Sequence, residues 1–376
     1  MRTSVAFDVT PMAGTRTGIG SSVAEMLGAL GRLGSGPRIV PYAFGMSVDL
    51  ARDGLPAGTR LVRAPTRALL WSWARADVPR MSRAVAGAGV LHATAFVVPP
   101  TGLPTLVTVH DCAFALSPST ESRRVGTFGP ILRRAVARGA HVHVATAAVG
   151  HEVEELLGIA LAHEGRLSVI PFAIPRIGEA SPLPEALSAR LAGSPYVLAM
   201  GSLVPRKNLP ALVRAFGALP ADDLRLVLAG PDGSARPAID AAIAALPPQA
   251  ASRVVLSGPV GTGVRRRLLE GAEVLAYPSL YEGFGFPMLE AMSLGVPVVA
   301  SDVPALREVA GGAATLVDPS DEEGLAAALG GVLADDATRA SVIERGRAHA
   351  ATFSWDRTAR DLAVLYERLA AETTSS

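Results

Sequence analysis

The chain has 376 residues, of which 18% are charged and 49% are hydrophobic, and its formal net charge is +1. This length suits two domains of ordinary size, and the composition is that of a globular protein with well-filled cores. The small net charge excludes a general electrostatic attraction to nucleic acid. The single cysteine, Cys112, excludes an intramolecular disulfide and a cysteine metal cluster.

The N-terminal residues enter the apolar stretch 4–9 without a basic-then-apolar leader. We therefore expect a cytoplasmic protein. No uninterrupted apolar stretch has the length of a membrane span.

Short apolar strands alternate with helices along the whole chain. The pattern predicts strands at 5–9, 89–92, 105–110, 141–146, 167–171, 196–201, 224–230, 253–258, 274–278 and 296–301. It predicts helices at 21–33, 69–85 and 129–137 in the first half. Such alternation is typical of parallel sheets covered by helices on both faces.

The segment 174–184 contains three prolines and indicates a linker between domains. We therefore predict an α/β protein with two doubly wound, Rossmann-like domains, at 1–177 and 185–355. We expect the carboxyl ends of the two parallel sheets to face each other across a cleft that holds the ligand.

A glycine-containing loop, Thr-Arg-Thr-Gly-Ile-Gly-Ser-Ser at 15–22, lies between the first strand and the first helix. Gly18 and Gly20 permit close backbone approach, and a helix N-terminus favours a diphosphate. A dinucleotide-binding fingerprint would have a third glycine where Val23 stands, which disfavours a Rossmann dehydrogenase. A tight turn without a ligand is the alternative.

The strand at 105–110 ends in Thr-Val-His-Asp, with His110 and Asp111 at its carboxyl end. A lone histidine in this position is more often a hydrogen-bonded structural residue than a catalytic one. The same structural or surface reading applies to the other histidines considered, which are His92, His141, His143, His151 and His163. His141 and His143 share one face of a strand, but two ligands without a third make a poor metal site.

Arg206 and Lys207 lie side by side in Pro-Arg-Lys-Asn, on the loop after the strand at 196–201. Fixed cations at this position can stabilise the negative charge of a departing nucleoside diphosphate without a metal. A solvated basic pair is the alternative interpretation.

The segment Tyr-Pro-Ser-Leu-Tyr-Glu-Gly-Phe-Gly-Phe-Pro-Met-Leu-Glu at 277–290 carries the most specific signal. It places Glu282 on a loop after a buried strand and Glu290 about one turn into the following helix. The intervening run Gly283, Phe284, Gly285 and Phe286 includes amides expected to face a ligand's hydroxyls or phosphates. Carboxylates accept hydrogen bonds from paired sugar hydroxyls, so this geometry suits a ligand with a ribose and a hexose.

This segment, with its continuations at 291–301 and 308–319, resembles the E-x7-E signature of retaining glycosyltransferases of family GT4, which have the GT-B fold. The glycine loop at 17–20, the His-Asp pair, the Pro-Arg-Lys-Asn run and the entry Phe-Ser-Trp-Asp at 353–356 match the same family. One position departs from it, because many members carry an arginine where Ser202 stands. The resemblance implies that a last helix, at 356–376, crosses back to the first domain.

The resemblance also implies roles for the residues named. His110, Glu282, Arg206 and Lys207 would be catalytic. The donor would be bound by Arg206 and Lys207 together with Gly18, Gly20, Gly283, Phe284, Gly285, Phe286 and Glu290. The acceptor would attack from the face that the leaving group departs, with retention of configuration. No Asp-x-Asp motif occurs in the chain, so neither a metal nor another cofactor is expected.

GDP-mannose is the first candidate for the donor, and UDP- or dTDP-hexoses are the alternatives. The acceptor would be a glycan, a lipid-linked sugar or a small molecule, bound mainly by the first domain. Two alternatives of another class are a catalytically silent nucleotide-sugar-binding scaffold and a GT-B phosphorylase or nucleotide-sugar epimerase.

Two segments suggest peripheral contact with the inner face of a membrane. One is basic and partly amphipathic, with Arg123, Arg124, Phe128, Ile131, Leu132, Arg133, Arg134 and Arg138. The other places Trp71 and Trp73 between Arg67 and Arg75. A solvated helix face and a core-facing aromatic pair are the alternatives.

Overall fold

A computed structural model describes residues 2–14, 17–116, 125–220 and 223–372. The chain divides into two compact units, which we call domain 1 (Met1–Pro175 with Ser354–Ser376) and domain 2 (Arg176–Phe353). Among the described residues, none of the helices combines the length and the apolar character that crossing a bilayer requires.

The strands, in chain order, are β1 (Ser4–Asp8), β2 (Arg38–Phe44), β3 (Arg60–Val62), β4 (Val90–Ala93), β5 (Thr105–Val109), β6 (His141–Val144), β7 (Leu167–Val169), β8 (Tyr196–Met200), β9 (Arg225–Ala229), β10 (Val254–Gly258), β11 (Val274–Tyr277), β12 (Val298–Ser301) and β13 (Thr315–Val317). The helices are α1 (Gly18–Arg32), α2 (Thr66–Trp73), α3 (Ala113–Leu116), α4 (Phe128–Ala137), α5 (Ala147–Leu157), α6 (Glu185–Leu191), α7 (Leu209–Gly217), α8 (Arg236–Ala244), α9 (Pro248–Ser252), α10 (Thr262–Glu270), α11 (Phe286–Leu294), α12 (Pro304–Ala310), α13 (Glu322–Ala334), α14 (Asp336–Ala350) and α15 (Trp355–Glu372). Short 3₁₀ helices occupy Thr10–Met12, Val125–Thr127 and Pro205–Lys207.

Each domain is a doubly wound α/β unit with one parallel sheet. The sheet of domain 1 has the order β3-β2-β1-β4-β5-β6-β7, and that of domain 2 has the order β10-β9-β8-β11-β12-β13. The direction of winding reverses between β1 and β4 in domain 1 and between β8 and β11 in domain 2. Loops diverge at such switch points, which leaves a crevice at the carboxyl ends of the strands.

Helix α15 belongs to domain 1, although it follows domain 2 in the chain. Its inner face buries Trp355, Leu362 and Tyr366, and it packs along α1. The indole nitrogen of Trp355 donates to the carbonyl of Ile174 at 3.0 Å, and the hydroxyl of Thr358 donates to that of Pro171 at 2.7 Å. These bonds fix the start of the helix beside the end of the first chain segment of domain 1.

A buried polar chain crosses the sheet of domain 1 from α15. The Tyr366 hydroxyl lies 2.7 Å from Nδ1 of His92, whose Nε2 lies 2.8 Å from Oγ1 of Thr108. The Thr108 hydroxyl in turn lies 2.8 Å from Nδ1 of His143, whose Nε2 lies 2.9 Å from the Ile170 carbonyl. A carbonyl only accepts, so Nε2 of His143 carries the proton and its Nδ1 accepts from the Thr108 hydroxyl. That hydroxyl therefore accepts from Nε2 of His92, and Nδ1 of His92 accepts from the Tyr366 hydroxyl. Every group is satisfied with both imidazoles neutral.

The helix predicted at 69–85 is wrong in its extent, because α2 ends at Trp73. After the helix, the Ser72 hydroxyl donates to the Val78 carbonyl and the Trp73 indole donates to the Pro79 carbonyl. These side-chain bonds hold a non-helical turn, and Pro79 has no N–H with which to continue a helix.

Three strands were not predicted, namely β2, β3 and β13. β3 and β13 have three residues each and leave almost no pattern. β2 contains Pro41, which argues against a central strand. β2 pairs with β3 only from Tyr42 onward, so at Pro41 the β3 side of the strand is an unpaired edge.

Candidate active site

The loops after β8 and β11 bring the two most informative sequence segments together in domain 2. These strands are neighbours at the switch point, and each ends in a loop at the carboxyl edge. The Leu280 amide donates to the Arg206 carbonyl at 2.8 Å, which ties one loop to the other. Arg206 and Lys207 therefore lie beside Glu282, although 75 residues separate Lys207 from Glu282 in the chain.

Glu282 is the shared counter-ion of both cations. Its Oε1 lies 2.9 Å from Nη1 of Arg206 and 2.5 Å from Nζ of Lys207. The Lys207 ammonium also donates to the Tyr277 hydroxyl at 2.8 Å and lies 4.4 Å from the centre of that ring. The Lys207 and Glu282 side chains are each 9% exposed, whereas the Arg206 side chain is 39% exposed. Arg206 is thus the cation of this pair that is more open to a ligand.

The burial of this cluster sets its protonation. Burial lowers the pKa of Lys207 from its ordinary value, and the Glu282 carboxylate opposes that effect. Burial alone would raise the pKa of Glu282, but Lys207 and Arg206 outweigh it and hold that pKa below its ordinary value. Burial also raises the pKa of Tyr277 well above its usual range. At neutral pH the site therefore contains the ionised Glu282 carboxylate beside Arg206 and Lys207, next to the neutral Tyr277 phenol.

Glycine allows the backbone to hold Lys207 in this position. Gly201 has φ +135°, and a Cβ there would lie 3.1 Å from Cε of Lys207. A Cβ on Gly230 would lie 2.0 Å from the Gly201 carbonyl oxygen, so the ends of β8 and β9 approach too closely for any side chain. Asn208, with φ 51°, then turns the chain into α7 and donates to the Pro319 carbonyl at 2.9 Å. Ser202, at the position where an arginine is common in the family, is exposed.

The second carboxylate, Glu290, lies one turn into α11. Gly285 precedes this helix with φ +93°, a conformation that favours glycine. Glu290 is 3% exposed and forms an ion pair with Arg265 on α10, whose side chain is 34% exposed. Burial raises the pKa of Glu290, and the Arg265 guanidinium partly offsets this rise.

The aromatic residues between the two carboxylates pack within domain 2. The rings of Phe284 and Phe286 lie 5.1 Å apart, and Phe284 also meets the edge of Phe353 at 5.9 Å. Gly283 and Gly285 are buried beside them. The turn that separates Glu282 from Glu290 is therefore part of a packed surface and not a loose loop.

The remaining predicted site residues lie in domain 1. His110 is buried at the end of β5, where its Nε2 donates to the Thr94 carbonyl at 2.9 Å and its ring stacks on Phe172 at 5.2 Å. Burial lowers the pKa of His110 to about 4, so its imidazole is neutral at neutral pH and Nδ1 is an acceptor. The Oδ1 of the adjacent Asp111 accepts from the Ala113 amide at 3.0 Å, at the start of α3.

The glycine loop of domain 1 begins α1. Gly18 is exposed, and Gly20 is buried against the preceding 3₁₀ helix, where a Cβ would lie 2.5 Å from the Pro11 carbonyl oxygen. The Thr17 hydroxyl accepts from the Gly20 amide at 3.3 Å. A structural requirement therefore explains Gly20, while Thr15 and Arg16 lie outside the described residues.

The basic segment around α4 has intramolecular partners. Ile131 and Leu132 are buried in the core, and Arg133 donates to the carbonyls of Leu156 and Leu157 at 2.6 and 2.9 Å. Arg134 and Arg138 both pair with Asp77, and Phe128 stacks on Phe96. Arg123 and Arg124 lie outside the described residues.

The tryptophan pair on α2 divides between core and surface. Trp73 is 2% exposed and belongs to the core, whereas Trp71 is 59% exposed, with the Arg75 guanidinium 4.5 Å from its ring centre. Of the two segments considered for membrane contact, α2 thus presents the accessible aromatic side chain.

Two residues of the cluster were missed from the sequence as functional residues. Tyr277 ends β11 and was treated only as part of a buried strand. Arg265 lies in a run of three arginines, and consecutive residues on a helix point about 100° apart, so the run does not reveal which one faces the site. Only the packing of α10 on α11 selects Arg265.

Within the part of the chain that the structure describes, no group of three or more histidine, cysteine, aspartate or glutamate side chains could hold a metal ion. The titratable groups of the domain 2 site instead alternate in charge, since the two carboxylates are each paired with a cation.

Residues 194–335, which include this site, match the family model described as "Glycosyl transferases group 1". The chain is 37% identical over 186 residues to O-antigen chain mannosyltransferase B of Escherichia coli, covering 49% of this chain and 48% of that protein. It is 34% identical over 236 residues to a D-inositol 3-phosphate glycosyltransferase of Xylanimonas cellulosilytica, covering 58% and 55%. The chain thus spans about half the length of the curated relatives it matches.

Solved structures match over nearly the whole chain. Sucrose-phosphate synthase of Thermosynechococcus elongatus aligns with a TM-score of 0.74 at 20% identity, covering 99% of this chain and 100% of that chain. The Anabaena protein HepE, solved in complex with UDP and glucose, aligns with a TM-score of 0.71 at 17% identity, covering 98% and 100%. The two parallel-sheet domains therefore share the GT-B fold of these glycosyltransferase structures. The matched domain and the curated relatives are similar to glycosyltransferases of the GT4 type.

Proposed function

We propose that this protein transfers a hexose from a nucleotide sugar to an acceptor hydroxyl, with retention of anomeric configuration and without a metal. The observation that carries the proposal is the buried pairing of Glu282 with Lys207 and Arg206 at the switch point of domain 2. A cation cluster fixed in this way is already oriented before a diphosphate arrives, which is the condition for electrostatic stabilisation of a leaving group.

The three charged residues divide the work. Arg206, the more exposed cation, contacts the diphosphate, and its planar guanidinium suits two phosphate oxygens at once. Lys207 contributes a positive charge from behind, in a buried position where water does not screen it. Glu282 orients both cations through Oε1 and uses its remaining acceptor capacity for a hydroxyl of the donor sugar.

In the transfer step the acceptor oxygen forms a bond to the anomeric carbon as the bond from that carbon to the β-phosphate oxygen breaks. The acceptor proton passes to a β-phosphate oxygen, and the negative charge stays on the nucleoside diphosphate beside Arg206 and Lys207. Glu290 accepts hydrogen bonds from the ribose hydroxyls. His110, neutral and fixed by Thr94, accepts at Nδ1 from the donor sugar, and Gly18 at the exposed start of α1 contributes to donor binding.

GDP-mannose is the donor we propose, because a curated relative is named as a mannosyltransferase. UDP- and dTDP-hexoses are the alternative donors, and one structural relative was solved with UDP and glucose. Calorimetric titration of the protein with GDP, UDP and dTDP separates these alternatives. Tighter binding of GDP supports the first choice, and tighter binding of either other nucleotide replaces it.

A transfer assay with the preferred donor and candidate glycan, lipid-linked and small-molecule acceptors tests the reaction. We expect an α-linked product from an α-linked donor, as judged from the anomeric coupling constant, and equal activity with and without EDTA. Arg206→Met should lower the transfer rate by about 100-fold or more, because it removes a fixed transition-state cation. Arg236→Met on α8, which breaks only exposed ion pairs, is the matched control.

Nucleotide binding without any transfer would instead favour the silent scaffold. Phosphate-dependent donor cleavage would favour a phosphorylase, and interconversion of free nucleotide sugars would favour an epimerase.

For localisation we propose a cytoplasmic protein with peripheral contact at the inner membrane face. The surface we favour surrounds Trp71, where Arg67 and Arg75 are also exposed. An aromatic ring flanked by cations suits the interface of an anionic bilayer. Charge reversal at Arg133 and Arg134 would disturb the bonds described above, so it is a poor test.

Co-sedimentation with anionic liposomes provides the membrane test. Trp71→Ala with Arg67→Glu and Arg75→Glu should abolish binding, whereas Arg357→Glu, an exposed charge change on α15, should reduce it only slightly. Failure of the parent protein to bind these liposomes would end the membrane proposal and leave the transferase proposal intact.

A further inference from the structure

The charged groups of domain 2 extend beyond the pair of loops at the switch point. Arg265, on α10, adds a third cation beside the Glu290 carboxylate. Its charge also acts on Lys207 and Tyr277, which places Arg265 within the same electrostatic cluster. The cluster thus contains three basic and two acidic side chains.

We propose that Arg265 is a positioning residue for the nucleotide, which holds the Glu290 carboxylate ionised and in place for the ribose hydroxyls. The inference rests on the proposed function, since it concerns how the same site recognises its donor. It goes further by assigning a task to a residue outside the E-x7-E and Pro-Arg-Lys-Asn segments.

The geometry makes Arg265 the partner on which Glu290 depends. The Glu290 side chain is 4% exposed, so water cannot solvate its charge, and a buried carboxylate requires a counter-ion. The Arg265 side chain is 34% exposed and spans from the surface of α10 to this carboxylate. The contact joins Nη2 of Arg265 to Oε2 of Glu290, so the guanidinium holds this end of the carboxylate.

The other charged groups around α11 do not replace it. From the neighbouring loops, Lys207 and Arg206 are already paired with Glu282. On α14, the Arg347 guanidinium lies 3.5 Å from the Leu294 carbonyl at the opposite end of α11.

On α12, Arg307 pairs with Asp302. β11 contributes the neutral phenol of Tyr277, and β12 (Val298–Ser301) carries no titratable side chain. Arg265 is therefore the group that offsets the effect of burial on Glu290.

The pairing of Arg265 with Glu290 determines how nucleotide affinity depends on pH. Glu290 accepts from two ribose hydroxyls only when it is ionised, so nucleotide affinity falls as pH falls through the Glu290 pKa. Burial raises that pKa and Arg265 opposes the rise. Without Arg265 the pKa rises further, and the loss of affinity begins at a higher pH.

The test is a double-mutant cycle with Arg265→Met and Glu290→Gln, measured by calorimetric titration of the preferred nucleoside diphosphate across pH. We expect Arg265→Met to weaken binding about tenfold or more, since a hydrogen bond to a charged group contributes about that factor to a binding constant. The loss should grow as pH falls, Arg265→Lys should restore most of the affinity, and in the Glu290→Gln background Arg265→Met should have no further effect. Arg266→Met is the matched control, because Arg266 pairs with Glu270 on the same helix.

A second readout does not depend on the ligand. Selective ¹³C labelling of glutamate carboxyls, with the Glu290 signal assigned by its loss in Glu290→Gln, gives the Glu290 pKa in the free protein. Arg265→Met should raise that pKa, while its melting temperature shows that the variant is folded.

Three results would overturn the inference. The first is an unchanged nucleotide affinity in Arg265→Met. The second is that Arg265→Met weakens binding equally in the Glu290→Gln background, which would mean that Arg265 contacts the nucleotide directly. The third is an unchanged Glu290 pKa in Arg265→Met. These differ from failure of the proposed function, in which the parent protein binds none of the nucleoside diphosphates.

Discussion

At the residue scale, the proposed function gives Glu282 two tasks, because this residue would hold the donor sugar and it also pairs with a buried lysine. The Lys207 side chain is 9% exposed, and its contacts with Glu282 and Tyr277 offset the free-energy cost of burying its charge. Loss of activity in a Glu282 variant would therefore mix two effects, a missing ligand contact and a disturbed cation cluster.

A stability cycle separates these effects. Glu282→Gln should lower the free energy of unfolding of domain 2 by about 3–5 kcal/mol, because it leaves a buried ammonium without its carboxylate. The double variant Glu282→Gln with Lys207→Met should recover much of that loss. Urea unfolding followed by circular dichroism measures both values.

The control for this cycle is the exposed pair Arg236–Asp240, whose removal should change the free energy of unfolding by about 0.5 kcal/mol or less. If the Glu282 and Lys207 variants showed simple additivity, the pair would not be coupled as the geometry requires.

At the scale of elements, the start of α11 depends on Gly285. Its φ of +93° disfavours any other residue, and a Cβ there would lie 2.6 Å from Cδ2 of Leu306. Gly312 also has a positive φ, of +80°, but nothing lies within 4 Å of its virtual Cβ. Gly285→Ala should therefore cost about 1–3 kcal/mol more than Gly312→Ala in thermal or urea unfolding. Equal costs would show that Leu306 moves aside freely.

Helix α15 depends on the polar chain that begins at Tyr366. Tyr366→Phe removes the proton donor to Nδ1 of His92 and leaves that nitrogen buried and unsatisfied. We expect a loss of about 1–3 kcal/mol in the free energy of unfolding of domain 1. Val364→Ala, at a position 66% exposed on the same helix, should change it far less. A neutral outcome for Tyr366→Phe would mean that water replaces the phenol.

The elements also show what local patterns reveal. The strand-loop-helix segments that carry Arg206, Lys207, Glu282 and Glu290 were predictable, because their glycines, prolines and apolar runs are contiguous in the chain. The ion pair between Lys207 and Glu282 was not, since it arises from the adjacency of β8 and β11. Arg265 was hidden for the same reason, because its role exists only once α10 packs on α11.

Some of the fold escaped prediction for reasons of physical context. Pro41 is tolerated because β2 pairs with β1 at this residue but pairs with β3 only from Tyr42 onward. No local sequence pattern indicates this offset between the two neighbouring strands. His92 and His143 are similar, since their place in one chain of hydrogen bonds requires β4, β5 and β6 to be neighbours.

At the scale of the whole molecule, the acid sensitivity of the protein should reside in domain 1. Burial lowers the pKa of His110 and that of His143 to about 4, and burial likewise lowers the pKa of His141 to about 4. The unfolded chain binds protons at these sites below about 6.5 while the folded domain does not. Stability is therefore present above that pH and is lost as pH falls from about 6.5 towards 4.

Asp8 acts in the opposite sense. Burial raises its pKa to about 7, so its contribution to stability is present at low pH and is lost as pH rises from about 4 to 7. Three histidines outweigh this one carboxyl, and the net stability should fall on acidification. All three tryptophans of the chain lie in domain 1, so tryptophan fluorescence during urea unfolding at pH 7 and pH 5 reports this domain alone. Asp8→Asn should make the fall steeper, and a shallower fall would contradict the assignment.

The division of the chain makes a last prediction about folding. Domain 2 is one continuous segment with its own core, so the fragment 176–353 should fold cooperatively by itself. The fragment 1–175 should not, because it lacks α15 and leaves His92 and the surface under Leu362 uncovered. Joining residue 175 to residue 354 should restore domain 1. The 3.0 Å bond between Trp355 and Ile174 places these ends together, so a linker of a few glycines is sufficient.

Circular dichroism and urea unfolding of the three fragments measure the outcome. A cooperative transition for the joined fragment, and none for 1–175 alone, is the expected result. The Tyr366→Phe change in the joined fragment should then lower its stability by the same amount as in the full chain, because the polar chain lies wholly within domain 1. A fragment 1–175 that unfolded cooperatively without α15 would show that the helix only covers a core that is already complete.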